Sequence, residues 1–148
     1  IEVIEFFSFW CPACNAFEPI VQDMKTRLGD DVKLTKVHVN FMQFASQEVQ
    51  DDVTRAMLVG RALKDETRLN GAIFNYIHRQ RGVITGLNDV RNIFLVNGVE
   101  AEDFDKILQQ YPEDELELLA MQISENTASI APKNMLSRLF EQQNNAKH

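Results

Sequence analysis

Two residues of this 148-residue chain have the type and spacing for redox chemistry: Cys11 and Cys14, its only cysteines, with Pro12 and Ala13 between them. A thiolate exchanges with a disulfide through a mixed disulfide, and a second thiol nearby completes the transfer, so two cysteines one helical turn apart suit the task. Which thiol attacks depends on which ionises first. The first amides of a helix have no internal partner and, with the macrodipole, favour negative charge. A helix that opens at Cys11 therefore lowers the pKa of that thiol, making Cys11 the nucleophile and Cys14 the resolving thiol. Were Cys11 to titrate about two units below ambient pH, the dithiol would gain roughly 2.7 kcal/mol, a shift of about 60 mV toward oxidising.

Two other uses of the spacing fit less well. Zinc asks for four ligands, and beyond this pair the chain offers no cysteine and three scattered histidines, His38, His78 and His148. No metal or other cofactor is expected. A structural disulfide across two residues closes too small a loop to stabilise much.

The elements that must position the pair are read from the pattern around it. Ile1 to Phe9 is apolar and β-favouring, which predicts a strand buried on both faces. An amphipathic helix should follow to Leu28, with Pro12 in its first turn and Pro19 as a kink. Gly29-Asp30-Asp31 reads as a turn and residues 32–40 as a second strand. Strand, helix, strand at this spacing is a βαβ unit, a parallel pair with a right-handed crossover. Its active residues sit at the carboxyl end of the first strand, where α/β sheets place their sites.

From about Ser46 the period is helical for some eighty residues, too long for a connection, which predicts a helical subdomain. Its apolar stripes are Val49, Val53 and Met57; Leu69, Ile73 and Ile77; Val90, Ile93 and Phe94; Phe104, Ile107, Leu108 and Tyr111; and, in a helix starting near Pro112, Leu116, Leu119, Ala120 and Ile123. Gly82, Gly86 and Gly98 punctuate them. Residues 129–140 read as a closing helix with Met135, Leu136, Leu139 and Phe140 inward, followed by a polar tail. The expected division is residues 1–44 plus 128–148 as one discontinuous domain around an insertion of residues 45–127.

The 45% apolar composition allows a sizeable core, and a net charge of −7 argues against nucleic acid and anionic membranes as partners. No apolar run reaches bilayer length, so stable membrane insertion is not expected. Ile1 opens inside the first strand with no leader before it, so the sequence reads as a mature or trimmed form.

Glu5-Phe6-Phe7-Ser8-Phe9, then Cys11-Pro12-x-Cys14 with Phe17-Glu18, and Thr35-Lys36-x-His38-Val39-Asn40-Phe41-Met42 together resemble the DsbA family of periplasmic thiol oxidases. The likeness runs on more weakly through Asp89-Val90-Arg91-Asn92-Ile93-Phe94. The resemblance implies an α/β class, a thioredoxin-like sheet with an inserted all-helical subdomain. It also implies an oxidoreductase that donates a Cys11–Cys14 disulfide to cysteines of newly secreted unfolded polypeptides, a DsbB-type membrane oxidase that restores it, and a periplasmic location. The alternatives are a reductase or isomerase using the same site, or a non-catalytic peptide-binding chaperone module. Glu5, Glu18 and Lys36 match a carboxylate and lysine cluster beneath the cysteines; for Glu5 a buried lone carboxylate needs a partner in any case. Phe9 and Trp10, if exposed, would form an apolar rim for unfolded chains, and they suit a core equally.

The sequence departs from the family twice. Ala13 stands where a histidine is usual, which removes one source of thiolate stabilisation and implies a milder oxidant. Neither Pro112 nor Pro132 fits the cis-proline that opens the substrate-facing strand pair of thioredoxin folds. That hairpin is expected to be missing from this sequence, with a junction near Glu125 to Ser129.

Overall fold

A parallel strand pair and a layer of helices carry the cysteines in the computed structural model of the protein, which describes residues 1–127. In chain order these are β1 (Glu2–Phe7), α1 (Pro12–Leu28), β2 (Lys33–His38), α2 (Gln47–Ala62), α3 (Glu66–Phe74), a π turn over Asn75–Arg79, α4 (Leu87–Val96), α5 (Ala101–Leu108) and α6 (Glu115–Thr127). β1 lies parallel to β2 with Glu5 opposite Lys36 and Phe7 opposite His38, the pairing expected of the βαβ unit. α1 carries Pro19 without interruption and stops at Gly29, whose φ of 71° suits a residue without Cβ.

Burial on both faces belongs to β2, not β1. Thr35, Lys36, Val37 and His38 are all buried, whereas Ile4 and Phe6 of β1 are exposed. The difference follows from which strand the helices cover. Lys33 N and Val39 N point toward β1, bonding Ile1 O and Phe7 O, so the alternate residues of β2 turn their backbone outward. Two long side chains from the helical layer meet that edge: Arg61 Nη2 donates to Lys36 O at 2.8 Å, and His38 N donates to Gln122 Oε1 at 2.7 Å. Backbone groups that would otherwise seek another strand are thereby satisfied.

The helical stripes form one core with the loop that bears the cysteines. Val53 to Ala62 are buried without exception, and Leu69, Ile73, Val90, Ile93, Phe94, Phe104, Ile107, Leu108 and Tyr111 join Phe7, Phe9 and Trp10. Val49 and Ile77 pack at its margin. The last stripe differs from expectation. α6 begins at Glu115, not at Pro112; Asp114 Oδ1 accepts from Glu117 N at 3.0 Å. From that start the face laid on β2 is Leu118 and Gln122, four residues apart, while Leu116 is 75% exposed and Leu119 and Ala120 face outward. A glutamine that serves a strand edge took the place an apolar residue was expected to fill. α6 runs through Thr127, into the stretch where the junction is expected. The rest of the expected junction, the closing helix over 129–140 and the polar tail lie outside the described residues. Among the described residues no helix is long and apolar enough to cross a membrane.

Candidate active site

The turn from β1 into α1 is held by its own backbone and by one histidine. Ser8 Oγ accepts from Trp10 N at 3.1 Å and Ser8 O from Cys11 N at 3.1 Å. Cys11 is the N-cap of α1, with φ −81° and ψ 117°, and Pro12 takes the first helical position. Its missing N–H costs nothing there, and its fixed φ suits the helix. The carbonyl between, Phe9 O, accepts from His78 Nε2 at 2.6 Å. Both cysteines stand as half-buried free thiols, with Pro12 and Ala13 exposed between them.

The two thiols differ electrostatically in the direction the spacing implied, though not for the reason given most weight. Cys11 is held below its ordinary pKa first by the hydrogen bond from the Cys14 thiol, then by the backbone N–H groups of Cys14 and Ala13, with slight burial opposing. The helix start contributes, but the neighbouring thiol contributes more. Cys14 is pushed up, chiefly by burial, and further by the Cys11 charge and the Glu5 carboxylate, against a lowering backbone contact from Ser8.

Lys36 is only 1% exposed, and its Nζ donates to Glu5 Oε1 and to Glu18 Oε2, both at 2.6 Å. The ammonium also lies 4.1 Å from the centroid of the Phe7 ring. Glu18 accepts as well from Gln22 Nε2 at 2.8 Å. β2, α1 and β1 thus bring together the three charged residues named from sequence. Glu5 is not fully buried, its side chain keeping 16% of its exposure, although it shares the covered face of β1 with Val3 and Phe7. Lys36 is the most buried of the three. Trp10 belongs to the core at 9% exposure, its ring 5.9 Å from that of His38, so it supplies no rim for unfolded chains. The large exposed apolar side chains of α1 are instead Phe17, Ile20, Met24 and Leu28.

Residues 2–128 match the family model described as a DSBA-like thioredoxin domain. The chain belongs to the DsbA-like thioredoxin family. It is 41% identical over 107 residues to the thiol:disulfide interchange protein DsbA of Haemophilus influenzae, covering 70% of this chain and 49% of that protein. To DsbA of Escherichia coli K12 it is 35% identical over 107 residues, 70% of this chain and 50% of that one. The crystal structure of oxidoreductase DsbA from Xylella fastidiosa superposes with a TM-score of 0.65 at 28% identity, over 84% of this chain and 65% of that one. The chain spans about half the length of the curated relatives it matches. Its fold class is the DsbA-like one, α/β with a thioredoxin-like sheet and inserted helices. Among the described residues of this family member there is no cis peptide bond.

One buried group of this DsbA-like site, His38, enters the sequence reading only as a scattered histidine and as part of the stretch that resembles the family, with no role of its own. Its ring is packed against those of Phe7, Phe9 and Trp10. Nδ1 lies 2.7 Å from Thr54 Oγ1, which is also 3.1 Å from Gln50 O, and Nε2 is buried with no hydrogen-bond partner among the described residues. The signal was available as a histidine that alternates with Lys36 on a strand facing the helices. Burial, helped by the Lys36 charge, pushes its pKa down from 6.5 to about 3. The unfolded chain therefore binds a proton below about pH 6.5 that the folded chain refuses until about pH 3. Stability is full above that window and falls with acidity inside it, by about 1.4 kcal/mol per pH unit. Urea unfolding should lose roughly 2.7 kcal/mol between pH 6.5 and 4.5 on this ground, and His38→Phe should lack that part of the slope. An unchanged slope in the variant would assign the acid sensitivity elsewhere.

Proposed function

We propose that this chain carries the redox site of a thiol:disulfide oxidoreductase that donates a Cys11–Cys14 disulfide to cysteines of newly secreted unfolded polypeptides. The observation that carries the reading is the asymmetry of the pair, a Cys11 thiol lowered at a helix N-cap beside a Cys14 thiol raised by burial. A substrate thiolate attacks the Cys11 sulfur of the disulfide, the S–S bond breaks, and Cys14 leaves as a thiolate that takes up a proton. A second substrate thiolate then attacks the substrate sulfur of the mixed disulfide and expels Cys11. Two electrons have passed to the enzyme and one disulfide to the substrate. Expulsion is easiest for the sulfur that best holds negative charge, and that is Cys11. The Lys36 ammonium with Glu5 and Glu18 lies on the Cys14 side, where the proton must be taken up; Glu5 already acts on the Cys14 thiol.

The family implies a DsbB-type membrane oxidase as the source of new disulfide and the periplasm as the compartment. It also favours residues 1–44 with 128–148 as the thioredoxin-like domain and residues 45–127 as the inserted one. Ala13 is the feature that favours a second reading, in which the same exchange runs as reduction or isomerisation. With no histidine beside Cys11, its thiolate loses one stabilising charge.

Titrating the Cys11 thiolate by its ultraviolet absorbance, together with the glutathione equilibrium, tests the direction. Expected are a Cys11 midpoint below the ordinary thiol range and a disulfide that glutathione reduces readily. Ala13→His should lower the midpoint further and make the couple more oxidising, about tenfold in the equilibrium constant per unit of midpoint. An ordinary Cys11 midpoint would overturn the oxidase reading; a low midpoint with a disulfide that resists glutathione would favour the reductase.

A further inference from the structure

We propose that His78 is a positioning residue for the cysteine loop: from the helical layer its Nε2–H holds the Phe9 carbonyl, and so fixes where the Cys11 sulfur sits against the start of α1. A carbonyl can only accept, so the 2.6 Å contact places a proton on Nε2. Phe9 is fully buried, and the neighbouring acceptors of the loop, Ser8 O and Ser8 Oγ, are already given to Cys11 N and Trp10 N. Without the histidine a carbonyl two residues before Cys11 loses the donor that holds it. The Phe9–Trp10 peptide would turn to relieve it, carrying the Cys11 amide and sulfur with it.

The segment that presents His78 is built for placement. α3 does not simply end but widens into the π turn Asn75–Arg79, a geometry that inserts an extra residue and re-aims the side chains it carries. The turn is closed by Gly82 N donating to Tyr76 O at 2.8 Å. Tyr76 lies so close over Gly82 that a Cβ there would come within 2.3 Å of its ring. Arg81 between them takes φ 54°, a left-handed conformation that non-glycine residues seldom adopt. His78 itself is half-buried, its ring 6.2 Å from that of Phe74 and facing Asn15, Glu18 and Pro19 of α1 across a shallow groove.

His78 acts here through Cys11, so the assignment rests on the thiol role proposed above. His78→Phe keeps a ring against Phe74 and removes the donor, His78→Met removes the donor with a flexible chain, and His78→Gln keeps a neutral N–H donor. The readouts are the Cys11 thiolate midpoint and the glutathione equilibrium, with the melting midpoint of each variant alongside. Gln should match the wild type, and both donor-free variants should raise the Cys11 midpoint by about half a unit or more, which is about threefold or more in the equilibrium constant, toward reducing. A low wild-type midpoint that stays put in His78→Phe or His78→Met overturns the role, even where melting falls, because a merely structural contact would change stability alone. Failure of both donor-free variants to fold, with Gln folded, equally makes the contact structural and overturns it. A wild-type midpoint in the ordinary range removes the Cys11 reading and this role with it.

Discussion

Cys11→Ser should abolish oxidation of a dithiol peptide, lowering the rate by at least about 10³-fold, while binding of an unfolded cysteine-free polypeptide is unchanged. The thiol that remains, Cys14, does not replace it, because its pKa is raised by burial and by Glu5 and it is poor at attack near neutral pH. Cys14→Ser also blocks the two-electron cycle but leaves the Cys11 thiolate, so at pH 6 it should alkylate with iodoacetamide at least about tenfold faster than Cys11→Ser. The origin of the Cys11 shift adds a sharper comparison. Its largest cause is the hydrogen bond from Cys14, and a serine hydroxyl can still donate where alanine cannot. Cys14→Ala should therefore titrate at Cys11 above Cys14→Ser. Equal midpoints would return the shift to the helix start, and full activity in Cys11→Ser would leave a peptide-binding module whose cysteines are incidental.

What could be seen in the chain beforehand depended on whether a residue's partner lay near it in sequence. Cys11, Pro12 and Cys14 are local: a strand end, a proline at the first helical position and two thiols one turn apart carry their geometry within seven residues. The βαβ unit and four of the helical stripes are periodic, and periodicity survives folding wherever one face is simply apolar. The errors arose where a polar group does the packing. Gln122 is buried because it meets His38 N, 84 residues away, and a stripe drawn from apolar residues alone turned α6 to the wrong face. His38, Arg61 and Lys36 are buried on the same terms, each through partners on other elements. β1 shows the converse: its run of Val, Ile and Phe reads as doubly covered, yet what covers a strand is supplied by other parts of the chain. Trp10 was ambiguous for that reason too, since an apolar residue beside a reactive cysteine suits a core and a binding rim equally.

Lys36→Met should be the most destabilising single change at the site, by about 3–5 kcal/mol in urea unfolding at pH 7, because it strands two carboxylates around a buried position. The loss is asymmetric by nature. With Lys36 present, one ammonium satisfies Glu5 and Glu18 at 2.6 Å each; with it gone, both carboxylates face each other and the Phe7 ring with little water to replace the charge. Glu18→Gln or Glu5→Gln alone should cost less, since one carboxylate remains for the lysine. Restoring neutrality at every position, in Glu5→Gln/Glu18→Gln/Lys36→Met, should recover most of the loss, since an ion pair exchanged for neutral groups of similar shape is often nearly isoenergetic. That recovery separates a charge effect from lost packing, which the triple variant would not restore. A cost under about 1 kcal/mol for Lys36→Met would mean the cluster is solvated like a surface pair. The same variants bear on the chemistry, because the Glu5 charge reaches the Cys14 thiol. Glu5→Gln should lower the Cys14 midpoint, and Lys36→Met, by leaving Glu5 unneutralised, should raise it, so the thiol that must accept a proton each cycle is tuned by the residues that hold the sheet and the first helix together.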